Sequence, residues 1–158
     1  MEEAIFVETT GAGLFQARVS TPSSTFLVDE PVEVGGLNSG PNPYDLLSTA
    51  LGACTVMTMR LYAQRKGWPL DGVRVRITHN RSGPNGRDVF TCEIEILGPL
   101  DQEQRDRLLD ASKRCPVHKT LEGGADIETA VVTNLESQIA ESHCAHEKDC
   151  EEIVAAAS

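Results

Sequence analysis

The sequence has too few basic residues for a protein that binds nucleic acid. It carries 24 acidic residues against 14 Lys and Arg, for a formal net charge of −10, and its basic residues form no cluster. A surface that follows a phosphate backbone draws its affinity from clustered Lys and Arg. We therefore expect no nucleic-acid partner.

We also expect no secretion signal. The first residues, Met-Glu-Glu-Ala-Ile-Phe, contain no basic region followed by an apolar run. The five cysteines are an odd number, which fits a reducing compartment better than a framework of disulfides. We expect a cytoplasmic protein.

A clear membrane span is missing as well. The longest apolar stretch, residues 46–63, is interrupted by Ser and Thr, whereas a span needs about 20 predominantly apolar residues. Aromatic residues are scarce at 4%, but a hydrophobic content of 40% in 158 residues suffices for the core of one soluble domain. We expect no association with a membrane.

One long helix is predicted over residues 43–66. Asn42 can cap its first turn, Pro43 suits the first helical position, and Asp45 favours the positive end of the helix dipole. Gly67 can adopt the left-handed conformation that ends a helix.

This helix should be buried on most sides and should meet a second copy of itself. Between Leu46 and Ala63 its only charged residue is Arg60, so it has no polar face to present to water. Small residues would let another helix backbone approach closely: Ser48, Thr49, Ala50, Gly52, Ala53 and Thr55. We expect a homodimer.

The other elements predict an α+β domain over residues 1–133. An antiparallel β-meander precedes the long helix, and a β-hairpin, a second helix, a short helix and a last strand follow it. The predicted elements are strands at 4–9, 14–20 and 25–30, the hairpin strands at 73–78 and 90–96, helices at 101–114 and 116–121, and a strand at 127–132.

Residues 134–158 form an acidic extension that contains four candidate metal ligands, His143, Cys144, His146 and Cys150. These residue types bind zinc, and three of them would share one face of a helix. Tails of this composition are usually only solvated, so we expect no metal cofactor.

Two cysteines stand out for chemistry. Cys54 lies about three turns into the nearly uncharged helix, where it could be an inert core residue or a reactive thiol. Cys115 precedes Pro116 at a predicted helix start, close to His118 and Lys119, and both a helix N-terminus and nearby cations favour a thiolate. Cys115 is therefore a candidate redox or nucleophilic thiol, whereas Cys92 is most simply a core residue.

Two motifs resemble those of the OsmC/Ohr family of thiol peroxidases, in its OsmC-like branch. The first is Gly35-Gly-x-x-x-Gly-Pro-Asn-Pro-Tyr-Asp-Leu-Leu-x-x-Ala-Leu-Gly-Ala-Cys54-Thr, and the second is Cys115-Pro-Val-His-Lys-Thr-Leu121. The resemblance covers roughly residues 1–133 and leaves out the acidic extension.

This resemblance implies an intertwined homodimer in which sheets from both subunits enclose two cysteine-bearing helices. Cys54 would be the peroxidatic thiol that attacks an organic hydroperoxide or hydrogen peroxide, and Cys115 the resolving thiol that forms a disulfide with it. An external dithiol, free or on a lipoylated protein, would reduce the pair without a bound cofactor. The family role is defence against oxidative stress.

The supporting residues depart from the family pattern. Hydroperoxide reductases of the family carry a Glu after Asn-Pro and an Arg in the first hairpin. Here Tyr44 occupies the Glu position, followed by Asp45, and the hairpin is Gly11-Ala-Gly13. Tyr44, Asp45, His118 and Arg18, which lies in the following strand, are the candidate supporting residues.

Two other functions fit the same residues. The protein could be a redox-sensing dimer, or one that binds a small apolar ligand, without fast peroxidase activity. Alternatively, Cys54 or Cys115 could act with His118 as a nucleophile and base in acyl transfer.

Overall fold

The structure is a computed structural model that describes residues 4–133 and 135. These residues form the mixed α+β fold expected from the sequence. Its elements are β1 (Phe6–Thr9), β2 (Ala17–Ser20), β3 (Thr25–Val28), a 3₁₀ turn (Val32–Val34), α1 (Pro43–Lys66), β4 (Gly72–Arg81), β5 (Asp88–Leu97), α2 (Gln102–Ser112) and α3 (Pro116–Gly123). Of the described residues, 4–46, 127–133 and 135 form one compact unit and 47–126 form the other.

The first unit contains the predicted meander as an antiparallel sheet in the order β1-β2-β3. Its strands are shorter than predicted. The buried carboxylate of Asp29 accepts hydrogen bonds from the backbone N–H groups of Leu37 and Ser39 and from the Ser39 hydroxyl. The Ser39 hydroxyl is the main cause of the lowered pKa of Asp29. This carboxylate holds the glycine-rich loop that leads to α1.

Helix α1 begins and ends where the sequence predicts. The Asn42 side chain accepts from the backbone N–H of Asp45, and the Asp45 carboxylate accepts from the backbone N–H of Asn42, each at 3.0 Å. This reciprocal pair satisfies two amides that a helix start would leave unpaired. At the other end Gly67 has a φ of +65°, which a glycine adopts at little cost.

The inner face of α1 forms the core of the second unit. Met59 and Tyr62 pack with Leu108 of α2, and Met59 and Leu108 are both 0% exposed. Burial of each such apolar side chain contributes about 1.5–3 kcal/mol. The length and mean hydropathy of α1 do reach those of a membrane span, contrary to expectation, but its packing identifies it as a core helix.

Strands β4 and β5 form the predicted hairpin. Val75 pairs with Ile94 and Ile77 with Cys92, and this face of the ladder is half-buried. On the exposed face, Arg76 pairs with a glutamate of β5, as does Arg74. The alternation of apolar and charged residues therefore set the register of the hairpin.

Helices α2 and α3 follow the hairpin. Asp101 and Gln104 form the predicted capping box of α2, which ends at Ser112, two residues before the predicted end. The Arg105 guanidinium donates to the carbonyls of Ile96, Gly98 and Leu100. These bonds fix the segment between β5 and α2.

The predicted last strand at residues 127–132 is wrong for the single chain, because this segment has no regular secondary structure. Its apolar side chains are exposed, Ile127 by 87% and Val131 by 100%. A strand needs a hydrogen-bonding neighbour, and the described part of the chain supplies none here. Apart from Leu135, the predicted extension at 134–158 lies outside the described residues.

Candidate active site

A disulfide bond joins Cys54 to Cys115 within the second unit. The cysteines are 61 residues apart in sequence, and their Cα atoms are 6.0 Å apart, a normal separation for a disulfide. Cys54 is 2% exposed and Cys115 is 0% exposed. The fold thus brings together the two cysteines that the sequence singled out.

Cys115 caps the N-terminus of α3, and Pro116 occupies the first turn of that helix. Its Sγ atom accepts a hydrogen bond from the backbone N–H of His118 at 3.4 Å. Both the helix dipole and this N–H group favour negative charge on sulfur. The local backbone therefore favours negative charge on the Cys115 sulfur, while its complete burial opposes that charge.

Cys54 has a different setting, in the middle of α1. The buried residues that share its face of the helix, Leu51, Thr55 and Thr58, are all uncharged. Inside a helix, the backbone N–H groups are already used within the helix. Any stabilisation of a Cys54 thiolate must therefore come from another part of the fold.

A cavity of about 150 Å³ lies about one helical turn from each of these cysteines, although neither Cys54 nor Cys115 is among its lining residues. Leu51, one turn before Cys54, and His118, one turn after Cys115, both line it, and α3 and the start of β5 complete its wall. The lining residues are Leu51, Arg87, Asp88, Phe90, Cys92, His118, Leu121 and Glu122. Its volume equals about five water molecules at about 30 Å³ each, so a peroxide group fits.

The family profile described as OsmC-like protein matches residues 36–130, which are more than half of the chain and include Cys54 and Cys115. The chain belongs to the OsmC-like family. Its fold supports this assignment, since solved structures of OsmC-like proteins share it.

Individual relatives of this OsmC-like protein are distant in sequence. A hydroperoxide reductase of Mycoplasma genitalium is 28% identical over 104 residues, which are 62% of this chain and 74% of that protein. The crystal structure of an OsmC-like protein from Mycoplasma pneumoniae has a TM-score of 0.66 at 24% identity and covers 78% of this chain and 89% of that one. An organic hydroperoxide resistance protein OsmC from Legionella pneumophila has a TM-score of 0.59 at 19% identity, with coverages of 78% and 92%.

The predicted supporting residues of this OsmC-like protein lie in several places. Arg18 is on β2 in the first unit, where its guanidinium pairs with Glu8 at 3.2 Å. Tyr44 and Asp45 lie in the first turn of α1, and the Asp45 carboxylate caps that helix. Of these candidates, His118 lies beside the disulfide.

Cys92 lines the same cavity. It is half-buried on β5, and desolvation raises the pKa of its thiol, which makes it a poor nucleophile. The core role expected from the sequence stays a prediction, since Cys92 is half-buried and lines this cavity.

The candidate metal ligands His143, Cys144, His146 and Cys150 lie outside the described residues. Within residues 4–133 and 135, no group of three or more His, Cys, Asp and Glu side chains could hold a metal ion. The expectation that the protein has no metal cofactor stays a prediction.

The outer face of α1 lines a broad groove of about 1000 Å³ in the second unit. Gly52, Ala53 and Met57 of α1 line it, with Trp68 and Ile77 opposite. Met57 is 57% exposed, and Arg60 is the charged residue of this lining. The groove is thus a mainly apolar surface on the core helix, lined by small residues such as Gly52 and Ala53 together with larger apolar side chains.

Sequence reasoning did not single out Arg87 or Glu122 as site residues. Arg87 lies in the turn before β5, and its guanidinium donates to the backbone carbonyl of Glu122 at the end of α3. The two are 35 residues apart, and neither belongs to a local motif. Only the packing of α3 against the hairpin brings them to the cavity.

Proposed function

We propose that this protein is a cysteine-based peroxidase that reduces organic hydroperoxides or hydrogen peroxide through Cys54 and Cys115. The disulfide between these residues carries the proposal, because it joins the two family motifs. A cavity that fits a peroxide group is lined by residues one helical turn from each cysteine. Relatives named hydroperoxide reductase support the same activity. The physiological role would be defence against oxidative stress in the cytoplasm.

In the first step, the Cys54 thiolate attacks one oxygen of the hydroperoxide. The O–O bond breaks, the leaving alkoxide takes a proton from water to become an alcohol, and Cys54 becomes a sulfenic acid. Cys115 thiolate then attacks the Cys54 sulfur and releases hydroxide, which forms the disulfide. The cycle oxidises two thiols for each hydroperoxide reduced to an alcohol and water.

An external dithiol, free or carried by a lipoylated protein, would return the enzyme to its reduced state. A thiolate of the reductant attacks one sulfur of the disulfide, and the second thiol of the reductant releases the mixed disulfide. This chemistry needs no bound cofactor. Because the helix N-terminus stabilises negative charge on Cys115, that sulfur is the better leaving group, and attack should fall on Cys54.

We infer that the protein acts as a homodimer in which a second copy covers the outer face of α1. Five residues of that face form one exposed stripe along the helix: Ala50, Ala53, Met57, Arg60 and Gln64. Ala50 and Ala53 allow close approach of a second helix at the first half of this stripe. The exposed apolar residues of 127–132 provide a segment that a partner strand could pair. Ala53→Glu should convert the dimer into monomers of 17.1 kDa in light scattering, whereas Arg74→Gln on the outer hairpin face should not.

The central experiment mixes the fully reduced protein with one equivalent of cumene hydroperoxide in a stopped-flow instrument and maps the products by mass spectrometry. Rapid loss of two thiols, with a bond between Cys54 and Cys115, is the expected result. Oxidation no faster than that of a free thiol would overturn the proposal.

The second candidate is a redox sensor or a protein that binds a small apolar ligand. The near-complete burial of both sulfurs favours it, since access limits the reactivity of a thiol. Slow formation of the same disulfide, or specific uptake of an apolar ligand in the groove, is the result that would support it.

Acyl transfer has less support in the geometry. The hydrogen bond from His118 to the Cys115 sulfur comes from the backbone N–H, and the Nε2 atom of the imidazole lies 4.0 Å from the Glu122 carboxylate. A general base must reach the proton that it removes. Among the described residues, no hydrogen bond joins the imidazole to either sulfur.

A further inference from the structure

The proposed peroxidase reaction needs a positive charge near Cys54. A thiolate is the reactive form of cysteine, and a neighbouring cation favours it. The reaction also moves negative charge onto the leaving oxygen, which a fixed donor can stabilise. The setting of Cys54 within α1 contains no such group.

Arg87 is the one Lys or Arg among the described residues that line the cavity of about 150 Å³. Its guanidinium is always charged and offers up to five N–H donors. The other ionisable side chains of the cavity wall are Asp88, Cys92, His118 and Glu122. Arg87 can act as the cation only if its charge is not neutralised by an ion pair with one of these neighbours.

Asp88, the nearest acidic residue in sequence, is engaged elsewhere. Its carboxylate accepts from Arg81 at 2.6 and 2.8 Å and contacts Nε2 of His79 at 2.7 Å. Mainly through the bond to Arg81, these partners lower the pKa of Asp88 to about 2. Asp88 thus forms a closed charge cluster with Arg81 and His79 at the end of the hairpin.

Glu122 does not neutralise Arg87 either. The Arg87 guanidinium donates to the Glu122 backbone carbonyl at 3.4 Å, while the Glu122 carboxylate is 72% exposed and lies 4.0 Å from the His118 imidazole. Among the described residues, Arg87 forms no ion pair within 4.0 Å. The carbonyl orients the guanidinium across the end of α3 without removing its charge.

We propose that Arg87 is the cation of the peroxide site: it binds the peroxide in the cavity and stabilises negative charge on Cys54 and on the leaving oxygen. This inference rests on the proposed function, and it assigns the role of the cation to the β4–β5 hairpin, whereas Arg18 on β2 pairs with Glu8. During O–O cleavage Arg87 keeps its proton. The alkoxide that it stabilises is protonated by water.

The test compares two alkylating reagents of similar size, the anion iodoacetate and the neutral iodoacetamide, on the reduced full-length protein. The rate ratio at Cys54 measures the local charge independently of peroxidase activity. Trypsin isolates Cys54 in the peptide 19–60, apart from Cys92 and Cys115. Arg87→Gln should lower the iodoacetate preference about tenfold, as expected for loss of a cation near the thiolate, and Arg87→Lys should retain most of it.

Arg76→Gln is the matched control, because Arg76 lies on the same hairpin but pairs with Glu93 on the exposed face. It should leave the ratio unchanged. Equal ratios in Arg87→Gln and Arg76→Gln would overturn the inference, as would failure of both reagents to reach Cys54 in the wild type. Thermal melting and Trp68 fluorescence verify that the variants fold.

The peroxidase proposal and the role of Arg87 can be overturned independently of each other. If the wild type reacts slowly with peroxide but Arg87→Gln still loses the iodoacetate preference, the site is cationic and the peroxidase proposal is wrong. If the wild type reacts rapidly and Arg87→Gln reacts equally fast, the peroxidase proposal stands and Arg87 has no part in it.

Discussion

The two sulfurs of the disulfide are both buried, but the fold supports them by different means. Cys115 caps α3, and the backbone N–H of His118 donates to its sulfur, so the groups that favour its thiolate are local in sequence. Cys54 lies inside α1, where the backbone has no free donor, so any stabilisation of its thiolate must come from side chains of other elements. The support for the Cys115 sulfur is thus local in sequence, whereas support for Cys54 can come only through tertiary packing.

The largest expected effect tests Cys54 as the attacking thiol. Cys54→Ser should reduce steady-state peroxide turnover about a thousandfold or more, because a serine hydroxyl does not replace the nucleophilic thiolate. Peroxide consumption in an assay coupled to a dithiol measures this. Cys144→Ser, the same substitution in the acidic extension, should retain activity, and comparable losses in both variants would contradict the assigned role.

Cys115→Ser should distinguish the attacking role of Cys54 from the resolving role of Cys115. Cys54 should still react once, but without a resolving thiol the sulfenic acid is exposed to a second peroxide and becomes sulfinic acid. Mass spectrometry of Cys54 after one and after ten equivalents of peroxide measures this. Sustained turnover in this variant would show that another group resolves the sulfenic acid.

The disulfide should also stabilise the second unit. It closes a loop with a sequence separation of 61 residues, for which the chain-entropy estimate is about 4 kcal/mol of unfolding free energy. Urea denaturation with and without dithiothreitol measures the difference. The Cys115→Ser variant should unfold at the same urea concentration with and without dithiothreitol. If dithiothreitol does not change the urea unfolding of the wild type, the expectation is contradicted.

The smallest expected effect concerns the cluster beside Arg87. Because the folded state lowers the pKa of Asp88 to about 2, ionised Asp88 stabilises the fold above its unfolded pKa of about 3.9, and this is lost as pH falls toward 2. Asp88→Asn should therefore lower the melting temperature at pH 7, by an amount that shrinks below pH 4. Melting curves of both proteins between pH 7 and pH 3 measure this, and a constant difference would exclude Asp88 as the cause.

Much of the fold could be predicted from residues that act locally. The ends of α1 follow from the Asn42 cap and Gly67, and the hairpin follows from the alternation along β4 and β5. The strand expected at 127–132 fails in the single chain because β-structure depends on a distant partner. The same limit applies to the site: Cys115 could be recognised from Pro116 and His118, whereas no local pattern marks Arg87.

The sequence by itself determined the long core helix, the hairpin, the cap at Cys115 and membership of the OsmC-like family, because each depends on neighbouring residues or on motifs of fixed spacing. The family resemblance implied the pairing of Cys54 with Cys115, and the tertiary structure supplies its geometry, with the Cα atoms 6.0 Å apart. Only the tertiary structure decided that Arg87 and His118 line the same cavity. Those proximities arise when the hairpin and α3 pack against α1. Contacts between distant segments depend on how whole helices and strands bury their apolar faces against each other. A short stretch of sequence does not predict such packing.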